Sequence, residues 1–334
     1  MAGRAPARSQ PTLALTTGDP TGIGPEVLLK SLRATPGSDQ PRSIIIGDHA
    51  VFEQIARRLR QRLPAWQLVR AGHPVSVNSP LTFLDLHHDR RFIPGRSSSA
   101  AGAASLAYLN HALALWRAGI VDGIVTGPVT KWAIHRVHQG FIGQTEYLAQ
   151  ATKTECVVMM FASARLRVVV LTRHVPLARV GKSITPTLLR RTITLTLAAL
   201  RHQFHLPDPR VAVCGINPHA GESGTCGDEE HRMMGPVMRR LRRRGVRVDG
   251  PFAADGLFAE SFRRYAAIIC AYHDQGLIPF KLLARDQGCQ VSLGLPLVRT
   301  APDHGSALDI AGRGIAHPGS MRYAIALAAQ LCAG

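Results

Sequence analysis

The chain has 334 residues, of which 46% are hydrophobic and 19% charged, with 31 glycines and 22 prolines spread along its length. This composition excludes a disordered polyelectrolyte, and no run approaches the roughly 18 apolar residues that a membrane-spanning helix needs. The formal charge of +18 would suit a nucleic-acid partner, but the arginines are scattered. They are dense only over 57–62 and 239–244, in helix-like segments without interleaved aromatics, so solvated helix faces account for them and nucleic acid is not expected as a partner. A basic surface still attracts anionic substrates.

The length suits one large α/β unit or two lobes sharing a cleft. Residues 1–11 carry arginines without the apolar core and cleavage site of a secretory signal, and are expected to be a disordered basic tail. Beyond it, short β-branched runs ending in polar or glycine-rich turns alternate with amphipathic helix-length segments, the pattern of a mostly parallel sheet with crossover helices. Strands are predicted over 13–16, 43–46, 123–126, 156–161, 168–171, 211–214, 267–271 and 291–293, and the clearest helices over 24–32, 101–117, 186–201, 229–243 and 321–332. A lobe boundary is expected near Gly127 and Pro128 and a return crossing near Pro296, giving a first lobe of 12–128 with 297–334 and a second of 129–296.

The first glycine-rich motif, GDPTGIGPE over 18–26, is a turn leading into a helix with Pro25 suited to its first turn. Its spacing fails the dinucleotide fingerprint, so a tight turn that needs glycine's backbone freedom is the expectation. The six cysteines form no CxxC pair, and several sit in apolar runs as small hydrophobes, which favours a reducing cytoplasm.

Three histidines stand just after strand-like runs: His174 closes VVVLTRH, His219 follows VAVCGINPH, and His273 closes AIICAYH. Side chains at the carboxyl ends of parallel strands border the ligand crevice of an open α/β sheet, so these three can converge. Three neutral imidazoles suit a divalent ion with an open position, able to polarise a substrate oxygen. Among 15 histidines some will follow strands by chance; the polar neighbours Asp274, Gln275, Asn217 and Glu222 favour the metal, because such groups orient ligands. The pairs His87/His88, His135/His138 and His202/His205 lack that setting.

Lys281 and Arg299 follow in turn-like surroundings, where they could hold phosphate or carboxylate. In the glycine-rich run 293–314 backbone can approach a ligand, and Asp309 could accept a ribose hydroxyl, preferring NAD to its phosphorylated form, or cap a helix.

Taken together, GDPTGIGPEV, TGPVTKWAIH, GQTEYLA, GINPHAGESG, AADGLF, YHDQGLIPFK and GLPLVRTAPDHGSALDIAGRG occur in order over nearly the whole chain, and resemble the 4-hydroxythreonine-4-phosphate dehydrogenase family. The last run also resembles the cofactor loop of isopropylmalate and isocitrate dehydrogenases. The resemblance implies an α/β fold of two-lobed α/β/α subunits with mostly parallel sheets and an interlobe active-site cleft. It further implies a homodimer whose interface and metal ligands lie on the second lobe, with His174 and His219 from one subunit and His273 from the other. One divalent ion per site (zinc, magnesium or cobalt) is implied, with NAD, or alternatively NADP, as cofactor. Phosphate-holding positions map to Thr145, Lys281 and Arg299, further substrate contacts to Gln144 and Gln290, and cofactor contacts to His304, Gly305, Ala307 and Asp309. Asp255 and Asp274 are both candidates for proton transfer.

The chain departs from the family at Gln144, where histidine is usual, at Gln290, where asparagine is usual, and at Gly256, where threonine is common. Gln144 cannot carry a positive charge and would hold a phosphate less strongly than an imidazolium. The expected activity is NAD-dependent oxidative decarboxylation of 4-phosphooxy-L-threonine in vitamin B6 synthesis, by a cytoplasmic enzyme without membrane association. The alternatives are a family dehydrogenase of a phosphorylated four-carbon sugar acid or an aromatic cis-dihydrodiol, and, from another class, a metal-dependent hydrolase.

Overall fold

The computed structural model describes residues 10–33, 41–75, 79–88 and 91–333, so of the tail expected over 1–11 only Gln10 and Pro11 are described and the rest lies outside. Twelve strands follow one another among the described residues: β1 (Thr12–Thr16), β2 (Arg42–Gly47), β3 (Gln67–Arg70), β4 (Leu81–Asp85), β5 (Gly123–Thr126), β6 (Val158–Ser163), β7 (Arg167–Val170), β8 (Val211–Cys214), β9 (Val248–Phe252), β10 (Ala267–Cys270), β11 (Gly288–Leu293) and β12 (Val298–Pro302). The chain divides into two compact units, one running to Lys153 and resuming at Leu295, the other comprising Thr154–Gly294.

In the first unit six parallel strands lie in the order β3-β4-β2-β1-β5-β12. Every residue of β1 and β5 is buried. Successive strand residues face opposite ways, so both faces are covered, as parallel sheets require. The helices Ser99–Arg117 and Gly319–Cys332 lie against these central strands. The first starts cleanly because Ser98 accepts the Ala101 N–H at 3.2 Å. Strand order reverses between β1 and β5, and the crevice beyond their carboxyl ends is where such sheets bind ligands.

The second unit orders its strands β11-β6-β7-β10-β8-β9. β7, β10, β8 and β9 run parallel, while β6 is antiparallel to both β7 and β11. Its core joins Val168 and Val170 of β7, Ala212 and Cys214 of β8 and Ile268 and Cys270 of β10 to Leu277, Phe280 and Ala284 of the helix His273–Ala284. The helix Pro186–His202 has proline in its first turn and Thr185 as its cap, accepting the Leu188 N–H at 3.1 Å. Among the described residues no helix is long and apolar enough to cross a membrane.

The chain leaves the first unit at Lys153, downstream of the expected turn at Gly127 and Pro128, and returns at Leu295, near Pro296. Two helices after that turn are fastened to the helix Ser99–Arg117. Lys131–His135 comes so close that a methyl group on Gly102 would lie 2.2 Å from the Ala133 carbonyl oxygen. Gln144–Ala151 is tied by Tyr147 Oη donating to Asn110 Oδ1 at 2.6 Å and by Arg117 Nη2 donating to the Ala151 carbonyl at 2.6 Å.

Helix propensity alone would make Gly102→Ala stabilising by about 1 kcal/mol. The backbone contact reverses the sign: overpacking should destabilise the protein by about 1–3 kcal/mol in urea unfolding. An increase in stability would contradict the close approach.

Candidate active site

β7, β10 and β8 are parallel neighbours, so the segments bearing His174, His273 and His219 leave one edge of the second unit's sheet. The exits remain coupled beyond the ladder: Leu171 N–H donates to the Cys270 carbonyl at 2.9 Å, and Thr172 N–H and Oγ1 both donate to the Ala271 carbonyl at 3.2 and 2.8 Å. Hence the His174 and His273 rings come to 6.1 Å between centroids. Two imidazoles sharing one ion, with metal–nitrogen bonds of about 2.0–2.1 Å, are compatible with that separation. His273 Nδ1 is 2.7 Å from Asp274 Oδ1. An ionised carboxylate only accepts, so Nδ1 is the donor in this contact and Nε2 is the ring nitrogen left to face a metal.

His219 lies in a turn whose backbone is left-handed over five consecutive residues, His219 (φ 52°), Ala220 (φ 53°), Gly221 (φ 81°), Glu222 (φ 41°) and Ser223 (φ 58°). Each of the non-glycine residues there costs roughly 1–2 kcal/mol, and such a conformation persists only where its surroundings over-determine it. Glu230 supplies that constraint. It is 4% exposed, and its Oε1 accepts the N–H groups of Ile216 at 2.6 Å and Asn217 at 2.7 Å, while Oε2 accepts Asn217 Nδ2 at 3.0 Å. Gln275 provides a second tie, accepting the Ala271 N–H and donating to the Gly215 carbonyl, both at 2.7 Å. Glu222, expected to help at His219, is exposed. In the sequence Glu230 stands only at the start of the helix predicted over 229–243, where an acidic residue is ordinarily surface charge, so nothing marks it as a site residue.

Among the described residues of one chain, no group of three or more His, Cys, Asp or Glu is gathered that could hold a metal ion. The rings that approach within the chain are His174 and His273, whereas the resemblance grouped His174 with His219. Beneath the exits the Cys214 and Cys270 thiols lie 3.9 Å apart as free cysteines. Burial, with help from Cys214, pushes the Cys270 thiol well above its ordinary pKa and keeps it protonated.

In the first unit, the turn after β1 needs glycine: Gly18 has φ 73°, and a methyl group there would lie 2.2 Å from the Pro128 carbonyl oxygen. Buried Asp19 accepts Thr21 N–H at 2.8 Å and Ser97 Oγ at 2.7 Å. The same turn holds the expected cofactor run, because Ile23 N–H donates to the Ser306 carbonyl at 2.9 Å, and Thr130, just before the helix Lys131–His135, adds a bond from Oγ1 to Ser306 Oγ at 3.0 Å. His304 Nδ1 contacts the Gly305 carbonyl at 3.0 Å, and its buried Nε2 has no hydrogen-bond partner. Gly305 has no neighbour within 4 Å of where a Cβ would sit. Ala307 is left-handed, with φ 40°. Asp309 is exposed and is not the residue preceding the next helix, so the capping role does not apply. An orphaned imidazole nitrogen beside open backbone fits a nucleotide better than it fits a closed turn.

Arg299 is 2% exposed within β12. Its Nε and Nη2 donate to Thr126 Oγ1 at 3.1 and 2.6 Å, and Nη1 to Thr145 Oγ1 at 3.3 Å. Thr145 lies in the first turn of Gln144–Ala151, where helical N–H groups favour an anion. Gln144 Nε2 is committed to the Gly127 carbonyl at 3.0 Å. The turn-like setting expected around Lys281 and Arg299 is not what forms. Lys281 is exposed on the helix His273–Ala284, which accommodates Pro279 because Gly276, Leu277, Phe280 and Ala284 bury its other face, and Arg299 is in a strand. Gln290 is on β11, and Asp255 is exposed at the start of a short helix.

The family model described as pyridoxal phosphate biosynthetic protein PdxA matches residues 39–328. A 4-hydroxythreonine-4-phosphate dehydrogenase of Paracoccus denitrificans is 42% identical over 328 residues, covering 96% of this chain and 98% of that protein. One from Synechococcus sp. (strain JA-2-3B'a(2-13)) is 39% identical, covering 96% and 97%. The crystal structure of the Klebsiella pneumoniae 4-hydroxythreonine-4-phosphate dehydrogenase has a TM-score of 0.85 and 34% identity, covering 99% of this chain and 100% of that one. A terephthalate 1,2-cis-dihydrodiol dehydrogenase from Burkholderia xenovorans LB400 has a TM-score of 0.61 and 32% identity, covering 93% and 95%.

Gly256, the departure from the usual threonine, has helical backbone (φ −64°) and no atom within 4 Å of where a Cβ would sit. Gly256→Ala should therefore raise unfolding free energy by about 0.4–1 kcal/mol, seen as a higher midpoint in thermal unfolding. A lower midpoint would mean that this turn needs glycine.

Proposed function

The chain belongs to the PdxA family of pyridoxal phosphate biosynthetic proteins, and from that premise we infer that it is a 4-hydroxythreonine-4-phosphate dehydrogenase acting on 4-phosphooxy-L-threonine. The products are 3-amino-2-oxopropyl phosphate, carbon dioxide and NADH, on the route to pyridoxal phosphate. The observation that carries the reading is the exit of all three histidine segments from adjacent parallel strands of one sheet.

When bound, a divalent ion would supply Lewis-acid polarisation of the substrate's C3 oxygen and the nicotinamide would supply the hydride acceptor. His174, His219 and His273 are the ligands proposed for the ion, with one ring contributed by the partner in a homodimer. His304, Gly305, Ala307 and Asp309 are proposed to hold NAD. Its ribose hydroxyl meets the free Asp309 carboxylate, which disfavours the extra phosphate of NADP.

Thr145, Arg299 and Lys281 bind the substrate phosphate, with the Arg299 fork held in place by Thr126. Gln144 and Gln290 add neutral hydrogen bonds to the substrate. Asp274 is occupied with His273, which suits it to orienting that ring. Asp255, exposed, is then the carboxylate that exchanges a proton with the substrate.

A second reading, oxidation of a carboxylated cis-dihydrodiol, is favoured by one feature: Gln144, in place of a chargeable histidine, is neutral and tied to main chain. The phosphate-binding set argues for the first. Metal-loaded protein incubated with NAD and each compound should reduce the nicotinamide with 4-phosphooxy-threonine; reduction only with a dihydrodiol would transfer the assignment. Arg299→Lys should raise KM for the phosphorylated substrate about tenfold or more, the loss of one charged hydrogen bond, and an unchanged KM would remove Arg299 from phosphate binding. His219→Ala should abolish turnover with the fold retained, as judged by circular dichroism, and full activity in metal-free buffer would refute a metal role.

A further inference from the structure

The His219 turn has a peculiarity that the proposed ligand set does not explain: four non-glycine residues hold left-handed backbone in a row around Gly221. In PHAGES only Gly221 adopts that conformation freely, and neither Gly, Asn nor Asp stands at His219, Ala220, Glu222 or Ser223. The turn must be held from outside, and the residues that hold it are identifiable.

Glu230 lies in the irregular helical segment Glu230–Met234 and turns its carboxylate inward, almost without solvent. One oxygen takes two consecutive N–H groups, Ile216 and Asn217, immediately before the turn. The other takes the Asn217 side-chain amide, which Glu229 Oε2 also accepts at 2.7 Å. A methyl group on Gly221 would lie 2.8 Å from Glu230 Oε2, and one on Gly215 would lie 3.0 Å from Oε1, so the two glycines let the turn close around this carboxylate. Gln275 continues the connection. Its amide spans from the Gly215 carbonyl at the exit of β8 to the Ala271 N–H at the exit of β10, and Ala271 is in turn bonded to Thr172 at the exit of β7. One chain of hydrogen bonds therefore runs from the strand end before His174, through the strand end before His273, to the turn that carries His219.

We propose that Glu230 and Gln275 are positioning residues of the metal centre: Glu230 fixes the His219 turn, and Gln275 fixes the strand exit that precedes this turn, through Ala271, against the exit that precedes His174. The proposal rests on the metal reading of the three histidines given above. Neither side chain is a ligand in it; both act through the backbone that carries the imidazoles. Groups that orient metal ligands change metal affinity by roughly 10–100-fold when removed, and the loss falls on affinity rather than on the chemistry once metal is bound.

The test uses the purified full-length protein and zinc competition with a chromophoric chelator, alongside circular dichroism, thermal unfolding and steady-state kinetics. Four proteins are compared: the parent, Glu230→Gln, Gln275→Met and His219→Ala. Glu230→Gln sets an amide donor against the Asn217 amide and removes the charge that gathers the N–H groups. Gln275→Met keeps the volume, loses both bonds and leaves no buried charge, so it remains informative should Glu230→Gln fold poorly. The expected result is zinc affinity weakened about 10–100-fold in each positioning variant, with secondary structure and KM for NAD as in the parent, and kcat restored by excess zinc. Loss of zinc binding in His219→Ala, with parental affinity in folded Gln275→Met and Glu230→Gln, would overturn the positioning roles and leave the metal reading standing. Parental zinc affinity in His219→Ala would overturn the metal reading itself, and the positioning roles with it.

Discussion

Parallel pairing of β7, β10 and β8 is the constraint on which the candidate site depends. Parallel strands end at the same edge of a sheet, so three segments far apart in sequence emerge side by side. Hydrophobic burial fixes this pairing: every residue of β8 and β10 is buried, and so are the three valines of β7. Slipping any strand by one residue would turn its inward and outward side chains over at once. The position of the histidines is thus inherited from the core beneath them, with polar contacts at the strand exits refining it.

Both units use buried polar side chains for that refinement. Glu230 gathers N–H groups at the His219 turn. In the first unit buried Glu26 accepts the Ala316 N–H at 3.0 Å, while Lys30 donates to Glu26 and to the Gly314 and Ala316 carbonyls, each at 2.8 Å. Asp19 organises the turn beyond β1 in the same way, and Arg299 ties the last residue of β5 to the first turn of Gln144–Ala151. Buried charges are expensive unless fully hydrogen-bonded, and here each is surrounded by partners. What they secure is the shape of irregular loops that packing alone cannot define.

The sequence made much of this legible, and particular residues explain the rest. β1, β2, β5, β8 and β10 announce themselves as continuous apolar runs because they are buried on both faces. Four strands lie outside those predicted: β3 has only Val69 buried, Gly250 and Pro251 interrupt β9, a buried arginine interrupts β12, and β4 is short although residues 82–85 are buried. Lys281 stands on the helix His273–Ala284 and not in the turn-like surroundings expected for it: Pro279 obscures in the sequence the apolar spacing of Leu277, Phe280 and Ala284. His174, His219 and His273 could be selected from position after a strand, which is a local signal. Glu230 could not: its partners are main-chain N–H groups at Ile216 and Asn217, and no feature of the sequence marks an acidic side chain that folds back on backbone.

The most direct test of the account is X-ray absorption spectroscopy at the zinc edge of the zinc-loaded protein, which counts the ligands without relying on turnover. The account predicts nitrogen and oxygen neighbours at about 2.0–2.1 Å with the multiple-scattering signature of about three imidazoles. Sulfur at about 2.3 Å, the distance of a cysteine ligand, or a first shell without imidazole scattering, would contradict it.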